Sequence, residues 1–414
     1  MKDALTPVAT LLIGVAILLT GLGLQGTLLP VRASLEDFST LSIGVIGAAY
    51  FFGFTAGCLK GGELVKNVGH VRVFLAMTAL ASASPLVHGL ILNPVAWSLL
   101  RILTGFCFAV LFVVIESWLN ERSSNENRGI VFSTYIMITL SVLAVGQLMT
   151  LMYNPLGLEL FLIASILVSL GAVPVALSKR QSPEQPTEVD VDLKRLFKIS
   201  PSGTIGCLVA GIALGAFWSL APVFTAAYSD DATLAAWFMA ATVLGGALAQ
   251  WPLGYVSDRL GRRKTLLVAA ITGVIVAVLF VAVSARFSII GISLLGMAWG
   301  AIAFPMYSVS VAHANDYTEP SDYVMVSSGL LLTYGIGAIL GPFAASAAMS
   351  ISGPAGLYGM TGIAHLLLAA YVLQRMFRRD SAPEEQHIAF GDALATAYSA
   401  SQVYEEEILH QAEE

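Results

Sequence analysis

The chain has 414 residues, a length that in a soluble protein would correspond to roughly two or three domains. Its composition excludes a soluble protein, because 57% of the residues are hydrophobic and only 12% are charged, about half the charged share of an ordinary globular chain. The net charge of −6 is concentrated in the tail, where the residues from Arg378 onward include 2 basic and 9 acidic ones, so it does not indicate an acidic binding site. The composition therefore predicts a protein that is embedded in a lipid bilayer and binds no nucleic acid.

Long apolar segments recur along the whole chain. A helix that crosses a membrane needs about 20 apolar residues, and a window of that length finds twelve such segments. Because the first segment is long, glycine-rich and without a small-residue cleavage site, we expect it to remain in the protein as a helix. The predicted spans are 8–30, 41–59, 73–92, 95–118, 130–153, 158–177, 203–227, 232–256, 265–284, 287–312, 324–350 and 354–376.

The basic residues predict the orientation of the chain. Of the 21 lysines and arginines, 18 fall on the face that carries both termini and 2 fall on the other face, with Arg101 inside a span. Basic residues are retained on the cytoplasmic side of a membrane. We therefore expect both termini to be cytoplasmic, in a multi-pass protein of the bacterial inner membrane.

The polar segments divide the chain into two halves. The longest internal polar stretch contains Pro183, Pro186 and Pro201 and lies between the sixth and seventh spans. The segment from Gly62 to Gly69 recurs 192 residues later as the segment from Gly254 to Gly261, after the second span of each half. This pattern indicates an internal duplication, as in many secondary transporters. The predicted regions are an N-terminal six-helix bundle at 1–178, a cytoplasmic linker at 179–202, a C-terminal six-helix bundle at 203–377 and an acidic tail at 378–414.

Three motifs resemble those of a transporter family. The segment Gly254-Tyr-Val-Ser-Asp258-Arg-Leu-Gly261-Arg-Arg-Lys264 resembles the signature loop of the major facilitator superfamily, and Arg101-Ile-Leu-Thr-Gly105 resembles its fourth-helix motif. The run from Val113 to Ser117 is similar to the YcaD-like branch. The resemblance implies an all-α fold of two pseudo-symmetric six-helix bundles. It also implies a transporter that acts as a monomer and moves a small solute by alternating access.

The signature loop is expected to act as a gate. Gly254 and Gly261 permit a tight turn, and the resemblance implies that Asp258 contacts the N-terminus of helix five near Arg128. Arg259 and Arg262 belong to the same loop. The alternative is a solvated basic loop that serves only topology.

Lys66, Asp322 and Glu116 are also assigned to the gate. Lys66 stands where the first copy of the loop should have an aspartate, and we predict that it pairs with Asp322 at the start of helix eleven. The alternative is two unrelated solvated charges. Glu116 is expected to pair with Lys66, Arg72 or Arg122 at the cytoplasmic end, the alternative being a proton carrier.

Arg101 is the strongest candidate for binding the solute. A charge inside a span costs about 2.5–3.5 kcal/mol on insertion scales unless it finds a partner. One interpretation is a site for an anionic solute; the other is an arginine bonded to Gln25 or to carbonyl groups of helix one. The remaining candidates are polar or aromatic, with helix packing as the alternative. They are Gln25, Trp218, Trp299 and Tyr307, followed by Gln147, Gln250, Tyr135 and Tyr334.

Other functional classes receive less support. The cysteines and helical histidines are scattered without metal-ligand spacing, and no ATP-binding loop or catalytic cluster is present. The sequence therefore predicts no enzyme, cofactor or metal site. The acidic tail favours one alternative, a sensor or scaffold that binds solute without transport. Multidrug efflux is another alternative, although its motif is absent from helix five and resembled only at Gly337–Pro342 of helix eleven.

Overall fold

A computed structural model describes residues 8–121, 123, 128–177, 192–229, 232–283, 288–319, 322–378 and 390. Within these residues twelve helices are long and apolar enough to cross a membrane. They are α1 Ala9–Leu35, α2 Thr40–Val68, α3 His70–Leu90, α4 Pro94–Glu121, α5 Arg128–Leu148, α6 Glu159–Ala176, α7 Pro201–Ala226, α8 Ala232–Leu260, α9 Arg262–Val283, α10 Ile289–Asn315, α11 Tyr323–Ser352 and α12 Gly356–Met376. A shorter helix, the linker helix Leu193–Ile199, precedes α7.

Each helix corresponds to one predicted span, and several continue past the apolar segment. The second span is predicted to end at residue 59, whereas α2 ends at Val68. A helix satisfies its own backbone hydrogen bonds, so it can leave the bilayer without unfolding. Residues that were predicted to lie in loops therefore lie on helices.

The second helix of each half ends at a glycine. Gly69 separates α2 from α3 with φ 96°, and Gly261 separates α8 from α9 with φ 88°. Both values lie in the left-handed region that side chains disfavour. The two halves therefore make the same tight turn at the same place, as the predicted duplication requires.

The helices pack as two equivalent bundles. In the first bundle α2 packs on α4, and α1 packs on α5 and α6; in the second, α8 packs on α10, and α7 packs on α11 and α12. Between the bundles α2 meets α11, α5 meets α8 and α1 meets α7. The predicted all-α fold is confirmed. Below, the linker face is the side where α1 begins, α12 ends and the linker helix lies, and the other side is the opposite face.

Close packing of α2 on α4 positions the residues of the site. A Cβ atom on Gly105 would lie 2.9 Å from the backbone nitrogen of Phe54 and closer still to the carbonyl oxygen of Tyr50. The two backbones can approach this far because position 105 carries no side chain. Tyr50 and Arg101, one turn from Gly105, are thereby brought side by side.

Candidate functional site

A cavity of about 400 Å³ lies between the two bundles. Its walls come from α1, α2, α4 and α5 on one side and from α7, α10 and α11 on the other. Small-molecule sites are commonly about 300–1,000 Å³ in volume and mostly apolar. The cavity is therefore large enough for a small solute, and both halves of the chain would contact that solute.

The cavity is closed toward the opposite face. The lining residues nearest that face are buried: Leu29, Ala33 and Ile43. Beside them a Cβ atom on Gly44 of α2 would lie 2.6 Å from the Cβ of Ser346 of α11, so the bundles are in contact there. Lining residues closer to the linker face, such as Phe112 and Glu116, are only half-buried.

Arg101 lies in the wall of the cavity and stacks on a tyrosine. Its guanidinium carbon is 4.0 Å from the centroid of the Tyr50 ring, which is cation–π geometry. Among the described residues the Arg101 side chain makes no hydrogen bond and no ion pair. Gln25 instead donates to the carbonyl oxygen of Gly21 at 3.4 Å. The bonding to Gln25 or to carbonyl groups of helix one that was the alternative is absent.

Three of the four other leading candidates line the cavity, namely Gln25, Trp218 and Tyr307. Trp299 is not among the lining residues, and its role as a binding residue stays a prediction. It is fully buried in the second bundle, with ring centroids 5.4 Å from Phe217 and 5.8 Å from Tyr358. On α10 it points about 140° away from the lining residue Phe304, which is five positions further on.

The second-choice candidates divide evenly. Tyr135 and Tyr334 line the cavity. Gln147 is fully buried on α5 and is not part of the wall. Gln250 donates to the hydroxyl of Ser308 at 2.7 Å, which joins α8 to α10. Both glutamines are therefore packing residues.

Glu116 also lines the cavity, on the half nearer the linker face. The hydroxyl of Tyr135 donates to its Oε1 at a long 3.4 Å, and no described ion pair includes this carboxylate. No described ion pair joins Glu116 to Lys66 or Arg72, and Arg122 lies outside the described residues, so the predicted pairing stays a prediction. Because α4 continues to Glu121, position 116 is about 7.5 Å inside the helix end and faces the cavity rather than the loop.

The signature loop forms a compact charged cluster on the linker face. Arg262 is only 4% exposed and pairs with Asp258 at 2.5 Å and with Asp316, at the end of α10, at 3.4 Å. It also donates to the hydroxyl of Ser257 at 3.0 Å. The cluster ties the start of α9 to the ends of α8 and α10.

The described contacts of Asp258 join it to residues other than those of α5. Besides Arg262, its carboxylate accepts a hydrogen bond from the backbone N–H of Phe390, with nitrogen–oxygen distances of 3.2 and 3.4 Å. Residues 124–127 and the side chain of residue 128 lie outside the described residues, so the expected contact between Asp258 and the N-terminus of helix five stays a prediction. This cluster lies on the linker face, the side toward which the cavity is not closed.

Comparison with known proteins places this arrangement in a family. The family model described as Major Facilitator Superfamily matches residues 11–224 and 203–406, which together span most of the chain and repeat over its two halves. The chain belongs to the major facilitator superfamily. It is therefore a multi-pass secondary transporter and not an enzyme.

Individual members of the superfamily agree with this placement. The chain is 27% identical over 347 residues to the "Uncharacterized MFS-type transporter YcaD" of Escherichia coli strain UMN026, covering 83% of this chain and 88% of that one. Its fold is similar to that of the nucleoside transporter NupG, with a TM-score of 0.76 at 15% identity over 91% of this chain and 100% of that chain. It is also similar to human MFSD10, an organic anion transporter, with a TM-score of 0.60 at 15% identity over 88% and 98%.

Asp322, the residue of the predicted gate at the start of α11, has a partner other than Lys66. Asp322 pairs with Arg195 of the linker helix at 2.6 Å, and Lys66 forms no ion pair among the described residues. The predicted pair of Lys66 and Asp322 is thus wrong. Asp192 caps the linker helix by accepting from the backbone N–H groups of Lys194 and Arg195, and the bond from Arg195 lowers the pKa of this carboxyl. The cap fixes Arg195 next to α11.

Several lining residues of the cavity were not predicted from the sequence. They are mostly apolar or aromatic, and α2 supplies the largest share. Tyr50, Phe54 and Cys58 of that helix recur at every fourth position, which puts them on one face. This period was the signal that could have found them. Cys58 is half-buried in the wall.

Proposed function

We propose that this transporter carries small organic anions with a flat, apolar body across the bacterial inner membrane. The observation that carries the proposal is Arg101, whose guanidinium lies in an apolar and aromatic wall without any bond to a described side chain or carbonyl group. A charge held in a membrane protein interior is costly without a partner. An anionic solute supplies that partner when it enters the cavity.

The shape and chemistry of the walls define the class of anion. A guanidinium presents a planar set of donors that matches a carboxylate or phosphate with two parallel hydrogen bonds. Trp218, Phe304 and Tyr307 stand on the second bundle, across the cavity from Arg101. They offer ring faces for the remainder of the solute. Both bundles therefore hold the solute, as alternating access requires.

We assign the linker face to the cytoplasm because it holds most of the basic residues. On this assignment the cavity is sealed from outside the cell and the structure is the inward-facing state. The moving bodies are then the two bundles, at 1–178 and 203–377. The linker at 179–202 is described only from residue 192, and the tail at 378–414 lies outside the described residues apart from Arg378 and Phe390.

We propose that the signature loop is the gate between the two states. In the inward-facing state the described contacts of Asp258 go to Arg262 and Phe390. When the linker face closes, Asp258 would accept hydrogen bonds from the open N–H groups at the start of α5. The helix dipole favours a negative charge at that position. The contact would stabilise the outward-facing state.

Glu116 is the proposed proton carrier. It lines the same cavity as Arg101 but forms no ion pair among the described residues, and the groups shown to interact with it are the hydroxyl of Tyr135 from α5 and the thiol of Cys58 from α2. A carboxylate that stays charged while both faces close around it would be strongly destabilising. Protonation removes this cost, and one proton moved with one monovalent anion leaves the cargo neutral.

Uptake into proteoliposomes tests the substrate class. We expect labelled aromatic carboxylates and phosphate esters to accumulate when the outer solution is acidic. Matched cations and neutral analogues of the same size should not accumulate, because they leave Arg101 without a partner. Transport of cations or neutral solutes alone would contradict the anion proposal. Tight binding of an anion without any flux would favour a sensor instead.

A further inference from the structure

We infer that Phe390, in the acidic tail, docks on the end of α8 and holds the gate in its inward-facing state. This inference rests on the gate proposed above, since it assigns a competitor to Asp258. It does not depend on which solute is carried. The docking surface is defined by Gly254 and Asp258 on α8.

Phe390 is seated on this surface by its backbone and by its ring. Its N–H points at both carboxylate oxygens of Asp258, at 3.2 and 3.4 Å. Phe390 is only 7% exposed. The ring occupies the space above Gly254, where an added Cβ atom would lie 2.6 Å from one ring carbon and 2.7 Å from another. A side chain at position 254 would occupy the space that the Phe390 ring fills.

The docked N–H belongs to the same chemical class as the donors that the gate needs. A helix N-terminus offers backbone N–H groups, and Phe390 likewise donates to Asp258 through its backbone N–H. Among the described residues Asp258 pairs with Arg262 and accepts from Phe390. Phe390 therefore occupies the carboxylate oxygens of Asp258 to which the N–H groups at the start of α5 would otherwise donate. It must leave before the linker face can close.

Charge favours the same occupant. The sequence from Arg378 onward contains 2 basic and 9 acidic residues, whereas the loop carries Arg259, Arg262, Arg263 and Lys264 within six positions. Opposite charges on a tail and its docking loop draw the two together. Exposed charges are screened by salt, so docking should weaken as the ionic strength rises.

A distance measurement between the bundles tests the inference. Spin labels at Asn67 of α2 and Glu319 beyond α10, both exposed on the linker face, report whether that face is open or closed. We expect Phe390→Ala, and separately deletion of residues 379–414, to shift the populations about tenfold toward the shorter distance. Phe390→Ala removes the ring that seats the backbone N–H beside Asp258, and the factor corresponds to losing the hydrogen bond to that charged group once the ring no longer holds it in place. Phe377→Ala is the matched control, since Phe377 is 84% exposed at the end of α12.

An unchanged or longer distance in both variants would overturn the inference. A photoreactive phenylalanine analogue at position 390 gives a second readout in the full-length chain. It should crosslink to the peptide that contains Gly254 and Asp258, and crosslinks found only elsewhere would also overturn the inference. Neither readout requires a solute, so its failure is distinct from failure of the anion proposal. A distance shift without anion uptake would leave the docking intact and remove only the proposed substrate.

Discussion

Replacing Arg101 with alanine should reduce transport of organic anions about a hundredfold, mainly through a higher KM. The expected size is that of removing one partner from a desolvated charge pair. Arg101 is the one basic residue among the described lining residues of the cavity, so no neighbour can replace it. Initial uptake rates over a range of anion concentrations would measure the effect. Arg101→Lys should fall in between, because an ammonium keeps the charge but not the planar donor geometry.

Arg72→Ala is the matched control for this experiment. Arg72 is an exposed arginine near the start of α3 and makes no described ion pair. Its removal should leave KM unchanged, since it lies outside the lining of the cavity. Equal anion affinity in Arg101→Ala and the parent protein would show that Arg101 is a packing residue.

Glu116→Gln should abolish accumulation driven by a pH gradient while preserving exchange of labelled for unlabelled anion. A gradient of about one pH unit can drive roughly tenfold accumulation when one proton accompanies each anion. The amide cannot carry that proton, yet it is neutral and similar in shape, so the bundles can still close around it. Uptake with and without the gradient, compared with exchange at equal pH on both sides, separates the two effects.

Glu121→Gln provides the control on the same helix. Glu121 is the exposed last residue of α4 and does not line the cavity. Its replacement should leave both accumulation and exchange intact. Proton-driven accumulation that survives in Glu116→Gln would exclude Glu116 as the carrier.

The membrane helices could be predicted because a single physical property fixes them. Lipid requires long apolar segments whose backbone hydrogen bonds are satisfied internally, and a window on the sequence finds them. The turns at Gly69 and Gly261 followed from the repeated spacing, since glycine tolerates the φ that both turns adopt. These features depend on residues that are close in sequence.

The partners of individual side chains could not be predicted in the same way. Whether Glu116 faces the loop or the cavity depends on where α4 ends, and hydropathy places helix ends poorly. Trp299 is an aromatic residue of the kind that often contacts a solute, but its ring packs on Phe217 and Tyr358 inside the second bundle. The contact between Asp258 and Phe390 joins positions 132 residues apart. No local pattern predicts such a pairing.

The most direct test of the account measures both faces of the protein in one experiment. Labels at Asn67 and Glu319 report the linker face, and labels at Leu92 and Ile351, both exposed at the opposite face, report the other. Addition of a transported anion at acidic pH should shift the two distance distributions in opposite directions, because the cavity opens to one side as it closes to the other. Two distributions that stay fixed while the anion crosses would indicate a static pore and contradict alternating access.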